Sequence, residues 1–223
     1  MRVYQLILLF IVVLATIPIA LHHHVHGVLD PDQMAVSFFL VVNLVIALWE
    51  MCLFFRIDQI EREHARFVVE YKGRELDRVI DFMNVRVPLA RTFSPSVWAE
   101  LWSSYSVFDE SYANRKSFGF FIDVGNGFST FIPGVLCIVA MTYDILPARA
   151  VGIMLLIINY QMWYGTLVYF GSFVFNKRYV GHTRFNLVVF VGLMNGLWFT
   201  FPVWGMWAAI HLIYSGTYGV FRG

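Results

Sequence analysis

The chain has 223 residues, 59% of them apolar and 14% charged, with mean hydropathy +0.65 and a net charge of +1. Soluble domains lie nearer about 45–50% apolar and about 25% charged, so the composition excludes an ordinary soluble protein and points to a membrane protein. The near-neutral charge argues against a nucleic-acid partner, and the pair Cys52 and Cys137 forms neither a disulfide framework nor a metal spacing.

Five stretches are long and apolar enough to cross the hydrocarbon core as helices, at about 4–21, 34–55, 117–141, 149–175 and 186–214. There is no sixth. The first run follows Arg2 but is too long for a signal-peptide core and lacks a small-residue cleavage site, so it reads as retained. LHHHVHGVLDPDQ (21–33) reads as the loop joining spans one and two. Its histidines His22, His23, His24 and His26 suit Zn²⁺ or Cu²⁺ by type, but their spacing supports no metal assignment.

Residues 56–116 are the one long polar segment. Ile57, Ile60, Phe67, Val79, Ile80 and Met83 keep helical spacing up to Val87, giving an amphipathic helix weakened or bent at Gly73. Pro88 and Pro95 break it, and a short amphipathic piece from Ser96 to Tyr105 leads to span three. This segment and its flanks carry most of the positive charge. A five-span arrangement leaves only Arg149 and Arg222 of the 16 basic residues on the other side. By the positive-inside rule the amino terminus and residues 56–116 are cytoplasmic and the carboxyl terminus is not. The membrane would be the endoplasmic reticulum in a eukaryote and the inner membrane in a bacterium.

Ionisable groups inside spans mark functional sites by default. Glu50 lies six residues before Arg56, and Asp123 six after Ser117, so both sit about 9 Å in from the same face. His211 is near the opposite face. Asp123, Asn126 and Thr130 share a helix face, as do Asn195 and Trp198, whereas Tyr164 and Tyr169 do so less cleanly. Trp163, Trp198 and Trp204 lie deeper than an interfacial belt explains, and their rings suit a flat apolar ligand or a cation. No lysine falls within a span, which excludes a retinal Schiff base.

Three blocks then bear a family likeness. WSSYSVFDESY (102–112) has the pattern W-x-x-Y-x-x-x-D-x-x-Y and is followed by Phe118 and Asp123. WYGTLVYF (163–170) and MNGLWFTFP (194–202) follow in order. Together they resemble the emopamil-binding protein family of sterol double-bond isomerases, within the wider group of EXPERA-domain membrane proteins. The likeness covers roughly residues 98–215. It implies five helices around an apolar cavity, with Asp123 at the position of a catalytic glutamate, Asn195 orienting and Trp198 stabilising a cation. The family's second-span histidine and glutamate fall on Asn43 and Ala47, and Glu50 lies one turn further on.

The sequence therefore predicts an all-α polytopic membrane protein, residues 1–223 forming one membrane domain with residues 56–116 as a helical insert. Its expected activity is intramembrane acid/base chemistry on a sterol- or terpenoid-type lipid, as a double-bond isomerase or related cyclase. Asp123 and Glu50 are the catalytic candidates; Asn126, Thr130, Tyr164, Tyr169, Asn195 and Trp198 are the substrate-binding ones. The alternative is a non-catalytic sterol- or lipid-binding protein of the same wider group. No cofactor is expected. The expected partners are the bilayer and a hydrophobic lipid, and a homodimer is compatible with the sequence.

Overall fold

The computed structural model describes residues 1–223, the side chain of Phe190 excepted. It is all-α, and five helices are long and apolar enough to cross a membrane. The spanning helices are α1 (Val3–His26), α2 (Pro31–Phe55), α6 (Phe118–Tyr143), α7 (Ala148–Phe175) and α8 (Arg184–Ser215). Between the second and third lie the shorter α3 (Ile57–Glu70), α4 (Glu75–Asn84) and α5 (Pro95–Tyr105).

Local chemistry sets the boundaries. Asp30 starts α2 by accepting from the Gln33 backbone N–H at 2.8 Å, with Pro31 at the first helical position. Ser117 does the same for α6 through Phe120 N–H at 3.0 Å. Gly27 and Gly216 end α1 and α8 in the left-handed region, at φ 75° and 69°. Within α8, Leu187–Leu193 is wound as a π-helix just before the cavity-facing Met194 and Asn195. Such turns re-aim the side chains that follow them.

Two expectations need correction. The histidines are not in a loop: α1 continues through His26, which places His22 and His26 one turn apart with ring centroids 4.6 Å from each other. Continuing the helix keeps their backbone groups bonded where no other partner is close. The amphipathic segment is not one bent helix either. It breaks into α3 and α4 at Gly73, where φ is +73°.

α2 packs along α6, and α7 along α8, with small residues at the closest approaches. A Cβ on Gly127 would lie 2.8 Å from Glu50 Cβ and 2.9 Å from the Ala47 carbonyl oxygen. A Cβ on Gly152 would meet the Ala209 carbonyl oxygen at 2.8 Å. One apolar cluster draws on all eight helices around Leu53, Phe82, Trp98 and Trp102; a second gathers α2, α6, α7 and α8 around Leu40, Leu155 and Leu212.

The insert folds back on the chain start. Val3 N–H donates to the Val85 carbonyl at 3.0 Å and Val87 N–H to that of Met1 at 2.8 Å. At the opposite end Gly223 N–H donates to Asp30 at 3.1 Å, and Arg222 pairs with Asp144.

Candidate functional site

All five spanning helices, together with α4 and α5, wall one cavity of about 470 Å³. Volumes of roughly 300–1,000 Å³ are typical of small-molecule sites. The lining is mostly apolar and aromatic, with Trp49, Phe82, Trp102 and Trp198 among its rings. Two carboxyls face it, Glu50 from α2 and Asp123 from α6, as their equal depth in the sequence predicts.

Glu50 is buried and held. Asn126 Nδ2 donates to its Oε2 at 2.8 Å across the α2–α6 contact, which the missing side chain of Gly127 brings close. Asn43 continues the polar line: its Nδ2 donates to Thr130 Oγ1 at 3.0 Å, and its Oδ1 accepts from Trp198 Nε1 at 3.1 Å. Trp198 is thereby fixed in the wall from α8. Asn126 Oδ1 is buried with no donor among the described residues. Asp123 is only half-buried, makes no hydrogen bond to a described residue, and lies close enough to Glu50 for the two charges to interact.

A second network closes the end of the cavity nearest the insert. Asp109, on the connection from α5 to α6, accepts from Arg178 Nη1 at 3.1 and 3.0 Å and from the Tyr169 hydroxyl at 3.1 Å. Tyr169 lines the cavity, and Asn195 Nδ2 donates to the Tyr105 hydroxyl at 3.4 Å beside it. Tyr112 stacks on Trp102 with centroids 5.3 Å apart and meets Tyr105 edge-on at 5.1 Å. Burial holds the hydroxyl pKa values of Tyr105 and Tyr112 well above the ordinary phenol value, so both stay protonated donors at neutral pH. These side chains are the W, Y, D and Y of the 102–112 block, which form one cluster around Asp109.

Of the sequence-predicted residues, Glu50, Asp123, Asn126, Tyr169, Asn195 and Trp198 all line the cavity. Thr130 sits behind the wall as the acceptor for Asn43. Tyr164 lies elsewhere: it is 52% exposed and stacks on Tyr160 at 5.9 Å on the outer face of α7. Trp163 is also outside the lining, packed on Phe199. Trp204 donates to Asp32 at the start of α2 at 2.8 Å, which is an interfacial position after all. Two residues of the site were not among the candidates drawn from the sequence, although the likeness touches both. Asn43 is i, i+7 from Glu50 and so shares its face, a signal present in the sequence; Asp109 lies in a connection, where charge is unremarkable until Arg178 is seen to cover it.

No protein-family model, curated protein or solved structure matches the chain.

Proposed function

We propose that the protein is an intramembrane acid/base enzyme that shifts or cyclises a carbon–carbon double bond in a polycyclic or isoprenoid lipid. The observation that carries this reading is the pair Glu50 and Asp123, two carboxyls facing one aromatic-walled cavity inside the spanning region.

Asp123 carries a proton to one alkene carbon, and the π electrons form the new C–H bond. The neighbouring carbon becomes a cation, held against the faces of Trp198 and the tyrosines. Glu50, positioned by Asn126, then takes a proton from an adjacent carbon, and that C–H electron pair becomes the relocated double bond. Where a second alkene of the same lipid reaches the cation first, a ring closes before the proton is lost. Protons and electrons balance in both cases, and the oxidation level is unchanged. The apolar wall keeps water, the competing nucleophile, from the cation. The likeness of the 102–112, 163–170 and 194–202 blocks to the sterol isomerases supports the same chemistry. The excess of basic residues on the insert supports an orientation with that face cytoplasmic.

The test is lipid mass spectrometry of membranes from cells expressing wild type or Asp123→Asn. A lipid isomer formed by the wild type alone supports the enzyme. A lipid that co-purifies unchanged with both identifies a binding protein instead.

A further inference from the structure

The turn between α4 and α5 has a character of its own. Leu89 and Phe93 are 73% and 81% exposed, an unfavourable placement in water for two large apolar side chains. Phe93 stacks on Phe10 at 5.8 Å and 17°. Phe10 is seven residues into α1 from Val3, about 10 Å along its axis, so Phe93 lies against the apolar stretch of a helix long enough to span a membrane. The chain-start pairing at Val85 and Val87 fixes the turn in that position.

Arg86 and Arg91 flank the same turn and line a separate cavity of about 180 Å³, together with Gln59, Ser96, Phe82 and Val97. Neither arginine side chain has a partner among the described residues. The acid in that cavity, Glu100, is engaged by Arg78 at 2.6 Å. Two uncompensated guanidinium groups therefore line a cleft large enough for a phosphate, next to the start of a spanning helix and to exposed apolar side chains.

We infer that this cleft is a binding site for one anionic phospholipid of the surrounding bilayer, its phosphate held by Arg86 and Arg91 and its chains lying along Leu89, Phe93 and α1. Guanidinium forks match phosphate oxygens, and basic pockets at helix ends on one membrane face recognise anionic headgroups. The exposed apolar pair favours a lipid over a soluble phosphate compound, which would gain nothing from it. The site is independent of the chemistry in the large cavity, with which it shares only the Phe82 ring.

Native mass spectrometry of the full chain released from detergent, offered equal dioleoylphosphatidylglycerol and dioleoylphosphatidylcholine, tests it. The wild type should retain one phosphatidylglycerol with a preference of roughly thirtyfold, about 1 kcal/mol for each arginine. Arg86→Gln with Arg91→Gln should abolish the preference while leaving the melting midpoint unchanged. Arg91→Gln alone should reduce it if the pair does not fold. Leu89→Ser with Phe93→Ser should weaken retention with both arginines intact. Equal retention of the two lipids by the wild type, or a preference that survives the loss of both arginines, overturns the inference. So does displacement of the lipid by millimolar inorganic phosphate, which would mark a soluble-anion site.

Discussion

Asn126 Nδ2 donates to Glu50 Oε2 at 2.8 Å, and this bond crosses the close α2–α6 approach at Gly127, at the wall of the cavity. It couples the position of one candidate catalytic carboxyl to the packing of the bundle. Removing the amide and removing the charge should therefore have different consequences.

Asn126→Leu leaves the Glu50 carboxyl buried without its donor, which should cost about 1–3 kcal/mol and lower the melting midpoint. Glu50→Gln retains an oxygen to accept from Asn126, so the midpoint should stay near that of the wild type while turnover is lost. Equal melting losses in the two variants would contradict the assignment of Glu50 as a working rather than a structural group.

Gly127 sets the same contact sterically. Gly127→Val should force α2 and α6 apart at Glu50 and Ala47 and cost about 1–3 kcal/mol, with activity falling as Glu50 moves. Gly125→Ala is the control two residues away, where an added Cβ meets nothing within 4 Å. Its melting midpoint and activity should match the wild type.

Arg178→Gln strips from Asp109 the Nη1 that donates to both its oxygens; the Asp109 side chain is 1% exposed beside 16% for the arginine. A broken buried pair costs about 3–5 kcal/mol; the lower end is expected because Tyr169 and the Ser111 N–H still donate to Asp109. Adding Asp109→Asn removes the stranded charge and should recover much of the loss. A thermal-melting cycle over the four proteins reads the coupling, and additive losses would show that the pair carries none.

Acid should destabilise the insert in two separate ranges. His64 is half-buried against Ser106 at 2.9 Å, and burial lowers its pKa below the ordinary 6.5. Above that value both folded and unfolded chains hold it neutral. Below it the unfolded chain takes the proton first, so stability falls as pH drops from about 6.5 towards the folded value. Asp58 and Glu61 are held below their ordinary 3.8 and 4.5 by Arg115. Their contribution is full above those values and is lost only at lower pH, as each is protonated in the folded state. His64→Gln should flatten the first decline of the melting midpoint, which begins as pH falls below about 6.5, and leave the second. An unchanged profile in that variant would contradict the burial of a neutral imidazole.

Much of this arrangement was legible before any coordinates. Charges inside apolar runs are costly, so Glu50 and Asp123 stood out, and the helical rise placed them at one level. Helix periodicity also placed Asn126 and Thr130 together. It could not say which face of α7 turns inward: Tyr164 and Tyr169 are five residues, about 140°, apart on the helix, so only one of them could reach the cavity. The histidine run was misread because polar residues suggest a loop, whereas a helix ending near a membrane face continues until its backbone groups find water or a cap. The role of Asp109 stayed hidden because its partner Arg178 is distant in sequence, and only the folded chain brings the two connections together.

The central claim is that Asp123 passes a proton to carbon. Membranes containing the wild type, incubated with their lipid extract in D2O, test this directly by mass spectrometry of the lipids. The account predicts an isomerised or cyclised lipid carrying one deuteron at carbon, absent with Asp123→Asn and with Glu50→Gln. A lipid bound by the wild type but recovered with its original structure and no deuterium at carbon would contradict it and leave the cavity as a binding site.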